Sequence, residues 1–270
     1  MKILLTNDDG VYAPGIWAVA NALSKNHEIA ITAPNKNCSG AGCSISLFTP
    51  VTINYLNDLP NFNIEFPCYA TSGTPADSAI LGLETLIGKV DLVISGINNG
   101  SNFGDDVVFS GTIGAALQGY VRKIPSIALS IASLTPDNFE IGAKVATLIA
   151  EVFESKIYED ISLLNINTPN KKLSEVKGIT QANLADRVYS DSINVEDFRT
   201  QRFHWVTRTR PDWDEAENTD VWAVRNDFIS ITPMTSIDSV AKPKIKAVSD
   251  TIISLKKKIE KNARGKAVDK

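Results

Sequence analysis

Histidine is the scarcest chemically useful residue in this chain: its 270 residues contain two, His27 and His204. No H-x-x-x-H pair exists, which excludes a zincin site, and a three-histidine zinc centre cannot be assembled within one chain. A Ser-His-Asp triad would have to use one of the two, and neither has suitable surroundings. Cysteine is also scarce. Cys38, Cys43 and Cys68 are odd in number, form no C-x-x-C, and sit in a chain too long to need disulfide staples, so they read as reduced thiols. Long apolar runs are missing as well: nothing approaches the ~20 residues of a membrane span. The Met1–Leu5 stretch gives way to Asn7-Asp8-Asp9-Gly10 too early to serve as a signal peptide. The expectation is a cytoplasmic protein without a membrane partner, whose chemistry proceeds without imidazole.

There is ample material for a core. Hydrophobic residues make up 43%, and 31 acidic against 27 basic residues give a net charge of −4. The length suits about two domains, or one large α/β domain with an appendage. The last sixteen residues hold seven basic and two acidic side chains. That tail reads as a solvated helix end, and nucleic acid is not an expected partner.

The first half alternates short β-branched runs with helical patterns. Strands are expected at 2–6, 28–33, 51–55, 64–70, 90–95, 126–131 and 162–166. Helices are expected at 14–23, 75–87, 111–121 and 138–153, the first opened by Pro14. The alternation predicts an α/β fold, a Rossmann-like doubly wound, mostly parallel sheet. After Pro169 the rhythm changes. Residues 186–220 are polar and without period, strand character resumes at 221–224 and 228–232, and a lysine-rich helix closes the chain. Residues 1–170 are therefore read as a core carrying the site. Residues 171–270 are read as an extended C-terminal segment of hairpins, a returning strand and a tail helix.

Ligands of open α/β sheets bind beyond the carboxyl ends of the strands. Four such ends are followed by polar segments: Asn7-Asp8-Asp9-Gly10, Pro34 to Gly42, Thr71 to Ser78, and Ser95 to Asn102. Their chemistry is all oxygen. The adjacent carboxylates of Asp8 and Asp9 would repel unless a cation or a shared proton intervened. With the Ser39 hydroxyl and the Asn98 amide they suit Mg²⁺ or Mn²⁺ rather than zinc. Ser110-Gly111-Thr112 stands before a helical run. Ser110 is a good N-cap, Gly111 permits close approach, and a helix N-terminus with the Thr112 hydroxyl can cradle phosphate. Asp105 and Asp106 read as surface or supporting residues.

These segments together resemble the SurE family of survival proteins. The resemblance rests on Lys2–Gly10 with Ala13-Pro14-Gly15-Ile16, on Ser39-Gly40, and on Gly73-Thr74-Pro75-Ala76-Asp77. It rests further on Ser95-Gly96-Ile97-Asn98 with Gly100 and Asn102, on Ser110-Gly111-Thr112, and on Ala223-Val224 with Ser230-Ile231-Thr232-Pro233. Asn35 and Ser101 depart from the family pattern, and neither is an implied ligand. The resemblance implies a metal-dependent phosphatase acting on nucleoside 5′-monophosphates and 3′-monophosphates. It implies one divalent cation per subunit, Mg²⁺ or Mn²⁺, on Asp8, Asp9, Ser39 and Asn98. Asn7, Ser39, Gly40, Asn102, Ser110, Gly111 and Thr112 would face the substrate, and Asp8, Asp9, Asn98, Ser110 and Thr112 would carry the catalysis. A homodimer or homotetramer built through the C-terminal segment is also implied.

Three other readings compete with this one. A haloacid-dehalogenase-type phosphatase needs a second aspartate two positions after the first, where this chain has Gly10. A non-catalytic nucleotide-binding module would suit the sheet, but no G-x-G-x-x-G follows the first strand. A nucleic-acid-binding protein would rest on the basic tail alone.

Overall fold

Alternating apolar runs and helical stripes build a three-layer molecule. In the computed structural model, residues 1–57, 64–155, 163–188, 191–198, 201–208, 212–213 and 216–234 are described. The first half runs β1 (Lys2–Thr6), α1 (Pro14–Leu23), β2 (Glu28–Pro34), β3 (Ile53–Tyr55), β4 (Cys68–Thr71), α2 (Pro75–Leu81), β5 (Leu92–Asn99) and α3 (Gly111–Val121). Then follow β6 (Ser126–Ile131), α4 (Glu140–Glu154), β7 (Leu163–Thr168), β8 (Gly178–Gln181), β9 (Arg187–Val188) and β10 (Asp191–Phe198). Last come β11 (Gln201–Arg208), β12 (Asp212–Trp213), α5 (Asp220–Arg225) and β13 (Phe228–Met234).

Nine strands form one sheet in the order β3-β4-β2-β1-β5-β6-β7-β13-β8. The run from β4 to β7 is parallel throughout, while β3 and β13 pair antiparallel with β4 and β7. Side chains alternate across the sheet. Ile3 and Leu5 enter the large core with residues of α1 and α4, whereas Leu4 and Val93 pack with Leu83 on the other face. On α4, Ile141, Val145, Leu148, Ile149 and Val152 are buried at helical spacing. Each such side chain contributes roughly 1.5–3 kcal/mol of transfer free energy.

The sheet is therefore α/β and mostly parallel, as its alternation predicts. Several elements differ from expectation. Residues 221–224, read as a strand from their valines, lie in the helix α5. Its N-cap is Thr219, whose hydroxyl accepts the Trp222 amide, and capping chemistry outweighs β-propensity there. The helix expected at 75–87 is α-helical only to Leu81 and continues as a π-helical turn over Gly82–Leu86. The strand expected from 64 begins at Cys68. The lysine-rich tail helix lies outside the described residues.

The C-terminal half divides in two. Strands β8 and β13 are built into the main sheet. The stretch between them carries the β10–β11 ribbon and the short β9–β12 pair, which form separate two-stranded sheets.

Candidate active site

In strand order, β1 is followed by β2 on one side and β5 on the other, so the winding reverses between β1 and β5. A switch point of this kind opens a crevice at the carboxyl ends of the strands. The loop after β1 begins with Asn7, whose amide braces the turn: Nδ2 donates to the Gly10 carbonyl at 2.9 Å and Oδ1 accepts the Gly10 N–H at 3.1 Å. Gly10 has φ +99°, which the turn requires and a side chain would resist. This brace presents Asp8 and Asp9 at the crevice.

Asp8 is 3% exposed. Its Oδ1 accepts the Thr112 hydroxyl at 2.7 Å, and its main-chain carbonyl accepts the Cys38 N–H at 2.7 Å. Burial pushes its carboxyl above the usual range. The Thr112 hydroxyl and the backbone N–H groups of Thr112 and Gly111 offset only part of that. Asp9 Oδ2 accepts the Asn99 N–H at 2.9 Å, and its Oδ1 meets Asn37 Nδ2 at 3.3 Å. Burial pushes the Asp9 carboxyl up to about 6; the Asn99 N–H opposes the rise and the neighbouring Asp8 charge adds to it. No Lys, Arg or His among the described residues forms an ion pair with either carboxylate.

Asn98 and Asn99 reach the crevice through an irregularity in β5. Gly96 pairs with Leu129 and Asn98 with Ser130, leaving Ile97 as an extra residue, a bulge of the kind found beside active sites. Asn98 Nδ2 donates to the Gly100 carbonyl at 2.8 Å, which fixes the amide with Oδ1 unengaged among the described residues. The loop after β2 is drawn in by Cys38 on Asp8 and by Asn37 on Asp9. The Ser39 N–H donates to Asn37 Oδ1 at 2.8 Å, and Ser39 and Gly40 are exposed.

The start of α3 completes the site. Ser110 Oγ accepts the Ile113 N–H at 3.1 Å, the cap expected of it. A Cβ on Gly111 would lie 2.8 Å from Asp8 Cβ and 3.0 Å from Asp8 Oδ2, so glycine here lets the helix start close on the carboxylate. The helix end offered to phosphate by the sequence is thus directed in good part at Asp8, whose negative charge its dipole favours.

The structure gathers Asp8, Asp9, Asn98, Gly111 and Thr112 at one rim, with Ser110 capping the helix and the Ser39-Gly40 loop tied to both aspartates. Asn7 and Asn102 stand apart in role. Both are buried, and the Asn102 side chain donates to Ser130 Oγ at 2.8 Å. Asp105 is exposed. His27 lies against the N-terminal ammonium at 3.4 Å, at the amino ends of β1 and β2 and thus at the opposite edge of the sheet.

The donor chemistry fits a hard divalent cation. Two uncompensated carboxylates, a neutral amide oxygen and a serine hydroxyl form an all-oxygen set. Among the described residues no three of His, Cys, Asp and Glu converge, so the two carboxylates would be joined there by neutral oxygens. Sequence reasoning missed Asn99, whose amide orients Asp9, because a backbone N–H leaves no mark on residue type.

A family model described as Survival protein SurE matches residues 3–191. Among curated relatives, a protein named 5′-nucleotidase SurE from Dehalococcoides mccartyi (strain CBDB1) is 37% identical over 238 residues, covering 87% of this chain and 88% of that protein. One of the same name from Thermosipho melanesiensis is 38% identical over 237 residues, covering 87% and 91%. Among solved structures, the crystal structure of the SurE protein from Aquifex aeolicus superposes with a TM-score of 0.72 at 32% identity, covering 92% of this chain and all of that one.

Proposed function

The chain belongs to the SurE family, and from that premise we propose that it hydrolyses nucleoside 5′-monophosphates, and 3′-monophosphates as a second substrate class, with the help of one bound Mg²⁺ or Mn²⁺. It is an enzyme, a nucleotidase of the phosphoric monoester hydrolase class. The observation that carries the finer reading is the convergence of Asp8 and Asp9, unpaired with any cationic side chain among the described residues, on the switch point beside the start of α3.

Asp8, Asp9, Ser39 and Asn98 would hold the cation. When bound, it supplies positive charge for the phosphoryl oxygens and for a water that must lose a proton. The Thr112 hydroxyl on Oδ1, together with the Gly111 and Thr112 backbone N–H groups beside the carboxyl, keeps Asp8 oriented. Asp9 is held by the Asn99 amide on Oδ2, while Oδ1 has only the long 3.3 Å contact from Asn37, so Oδ1 is the oxygen placed to take a proton. The water oxygen bonds to phosphorus and its proton passes to Asp9. The bond between phosphorus and the ester oxygen breaks, and the nucleoside leaves with a proton from solvent. Ser110, Gly111 and Thr112 line the phosphate side, with Ser39 and Gly40 on the facing loop. Asn7 and Asn102 serve the substrate by holding these loops.

Inorganic phosphate release from a panel of nucleoside 5′- and 3′-monophosphates tests this reading. Turnover is expected with added Mg²⁺ or Mn²⁺ and is expected to vanish with a chelator. Equal turnover in chelator overturns the metal-assisted reading.

The β10–β11 ribbon supports a homo-oligomer. Its register places Ile193, Val195 and Val206 on one face and Phe198, Phe203 and Trp205 on the other, and all six are exposed, Val206 by 76% and Phe198 by 63%. A two-stranded ribbon is marginal alone, and apolar side chains on both faces call for a second chain to cover them. Sedimentation is expected to give a dimer or tetramer, and a monomer at micromolar concentration contradicts it. No helix among the described residues is long and apolar enough to cross a membrane.

A further inference from the structure

The ribbon-bearing stretch leaves the body at Ala185 and rejoins it at Asp220. The two ends are tied to each other: the Asn183 N–H donates to the Asn218 carbonyl at 2.9 Å, and the Asp220 N–H donates to the Asn183 carbonyl at 2.8 Å. The Asp220 side chain is completely buried. Its Oδ1 accepts the N–H groups of Ala185 at 3.1 Å and Val221 at 2.9 Å. Its Oδ2 accepts the N–H of Gly104 at 2.9 Å, more than a hundred residues away in sequence.

Gly104 opens the 3₁₀ turn Gly104–Val108, which leads through Ser110 into the helix start seated on Asp8. Around the carboxylate, Phe103 of that loop packs with Ala185, Val221 and Val224 in a small separate core. The preceding residue, Asn102, is fixed from the sheet instead. Its N–H donates to Asn167 Oδ1 at 2.8 Å, and its carbonyl accepts Asn165 Nδ2 at 2.7 Å and Asn167 Nδ2 at 3.1 Å. The loop feeding the catalytic helix thus has one anchor on the sheet and a second on the root of the ribbon.

We propose that Asp220 is a positioning residue: through the Gly104 amide it sets the loop that carries Ser110, Gly111 and Thr112 to Asp8, and through Ala185 it makes that setting depend on the ribbon root. Aspartate suits the role because two oxygens serve backbone donors from three segments at once. An amide in its place keeps one accepting oxygen and turns an N–H₂ toward one of those donors, so one tie is lost.

This inference rests on the nucleotidase reading, and its test separates the two. Wild type, Asp220→Asn and Thr219→Ala are compared in kcat and KM for a nucleoside monophosphate with Mn²⁺, in Tm, and in exchange of the Gly104 amide. The Thr219 hydroxyl caps α5, donating to the Ala216 carbonyl and accepting the Trp222 N–H, and makes no hydrogen bond to Gly104 or Ala185. Asp220→Asn is expected to lower kcat roughly 10- to 100-fold, the range seen for partners that orient catalytic groups, with KM changed by less than about twofold and Gly104 exchange accelerated. Thr219→Ala is expected to lower Tm while leaving kcat in place. If the asparagine variant does not accumulate folded, Asp220→Ser, too short to reach Gly104, is read in the same way. Wild-type kcat in the Asp220 variant overturns the proposal. So does a kcat loss in Thr219→Ala equal to that of Asp220→Asn at the same fall in Tm. A wild-type protein that releases no phosphate from any nucleotide overturns this inference and the nucleotidase reading together.

Discussion

Asp8→Asn is expected to leave a folded protein that releases phosphate more than about 100-fold more slowly than wild type, a loss beyond that caused by removing partners in the outer sphere of a metal site. The substitution preserves volume, and the amide oxygen can still accept the Thr112 hydroxyl, which contacts Asp8 Oδ1 at 2.7 Å in the native chain. What disappears is the negative charge, and with it the strongest donor for a hard cation. The fold should tolerate the change, because burial already disfavours the charged carboxyl at this site. A Tm close to that of the metal-free wild type, with relief of the buried charge offset by an N–H₂ turned toward the Gly111 and Thr112 amides, is expected alongside the loss of phosphate release. Turnover near the wild-type rate would remove Asp8 from the centre of the chemistry.

Gly111→Ala is expected to act in a direction opposite to ordinary helix propensity. At an open helical position the exchange gains up to about 1 kcal/mol. Here the new Cβ would stand 2.8 Å from Asp8 Cβ, 3.0 Å from Asp8 Oδ2 and 3.0 Å from Pro75 Cγ. Pro75 is the first residue of α2 and part of its backbone ring, so it yields little; Asp8 or the start of α3 has to move. Overpacking of this kind costs about 1–3 kcal/mol, and displacing the carboxylate by a fraction of an ångström to an ångström is expected to lower kcat by up to about 100-fold. Steady-state kinetics and thermal unfolding check both parts. A variant more stable than wild type with unchanged kcat would mean that the helix start does not close on Asp8.

Much of the core was legible because its signals are local. The β1 strand needs only Ile3, Leu4 and Leu5 flanked by polar residues, and α1 and α3 carry Pro14 and Ser110 at their starts, so their limits agree with the sequence pattern. The oxygen-rich rim was legible for a related reason: every loop that forms it follows a recognisable strand, and the parallel order brings those loops together. Residues 221–224 carry opposed signals, β-branched valines that favour a strand and a Thr219 cap that starts a helix, and the cap prevails. The ribbon was legible only as a hairpin somewhere in the C-terminal segment, without the limits or register of its strands. Its residues 193–198 and 201–206 alternate apolar side chains on both faces, so no inward face produces the usual period. At the site, the ties that decide geometry are main-chain groups: Asn99 N–H on Asp9, Cys38 N–H on Asp8 and Gly104 N–H on Asp220. Backbone donors are common to every residue but proline, and only the folded chain shows where they point.

The central claim, that Asp8, Asp9, Ser39 and Asn98 form a hard-cation site that drives phosphate monoester hydrolysis, is tested most directly by titrating Mn²⁺ into metal-stripped protein by calorimetry, wild type beside Asp8→Asn, with phosphate release followed on the same samples. One ion bound per wild-type chain, activity rising in step with occupancy, and neither effect in the variant is the predicted result. Full turnover in the stripped wild type, or the same Mn²⁺ binding in the variant, would contradict it.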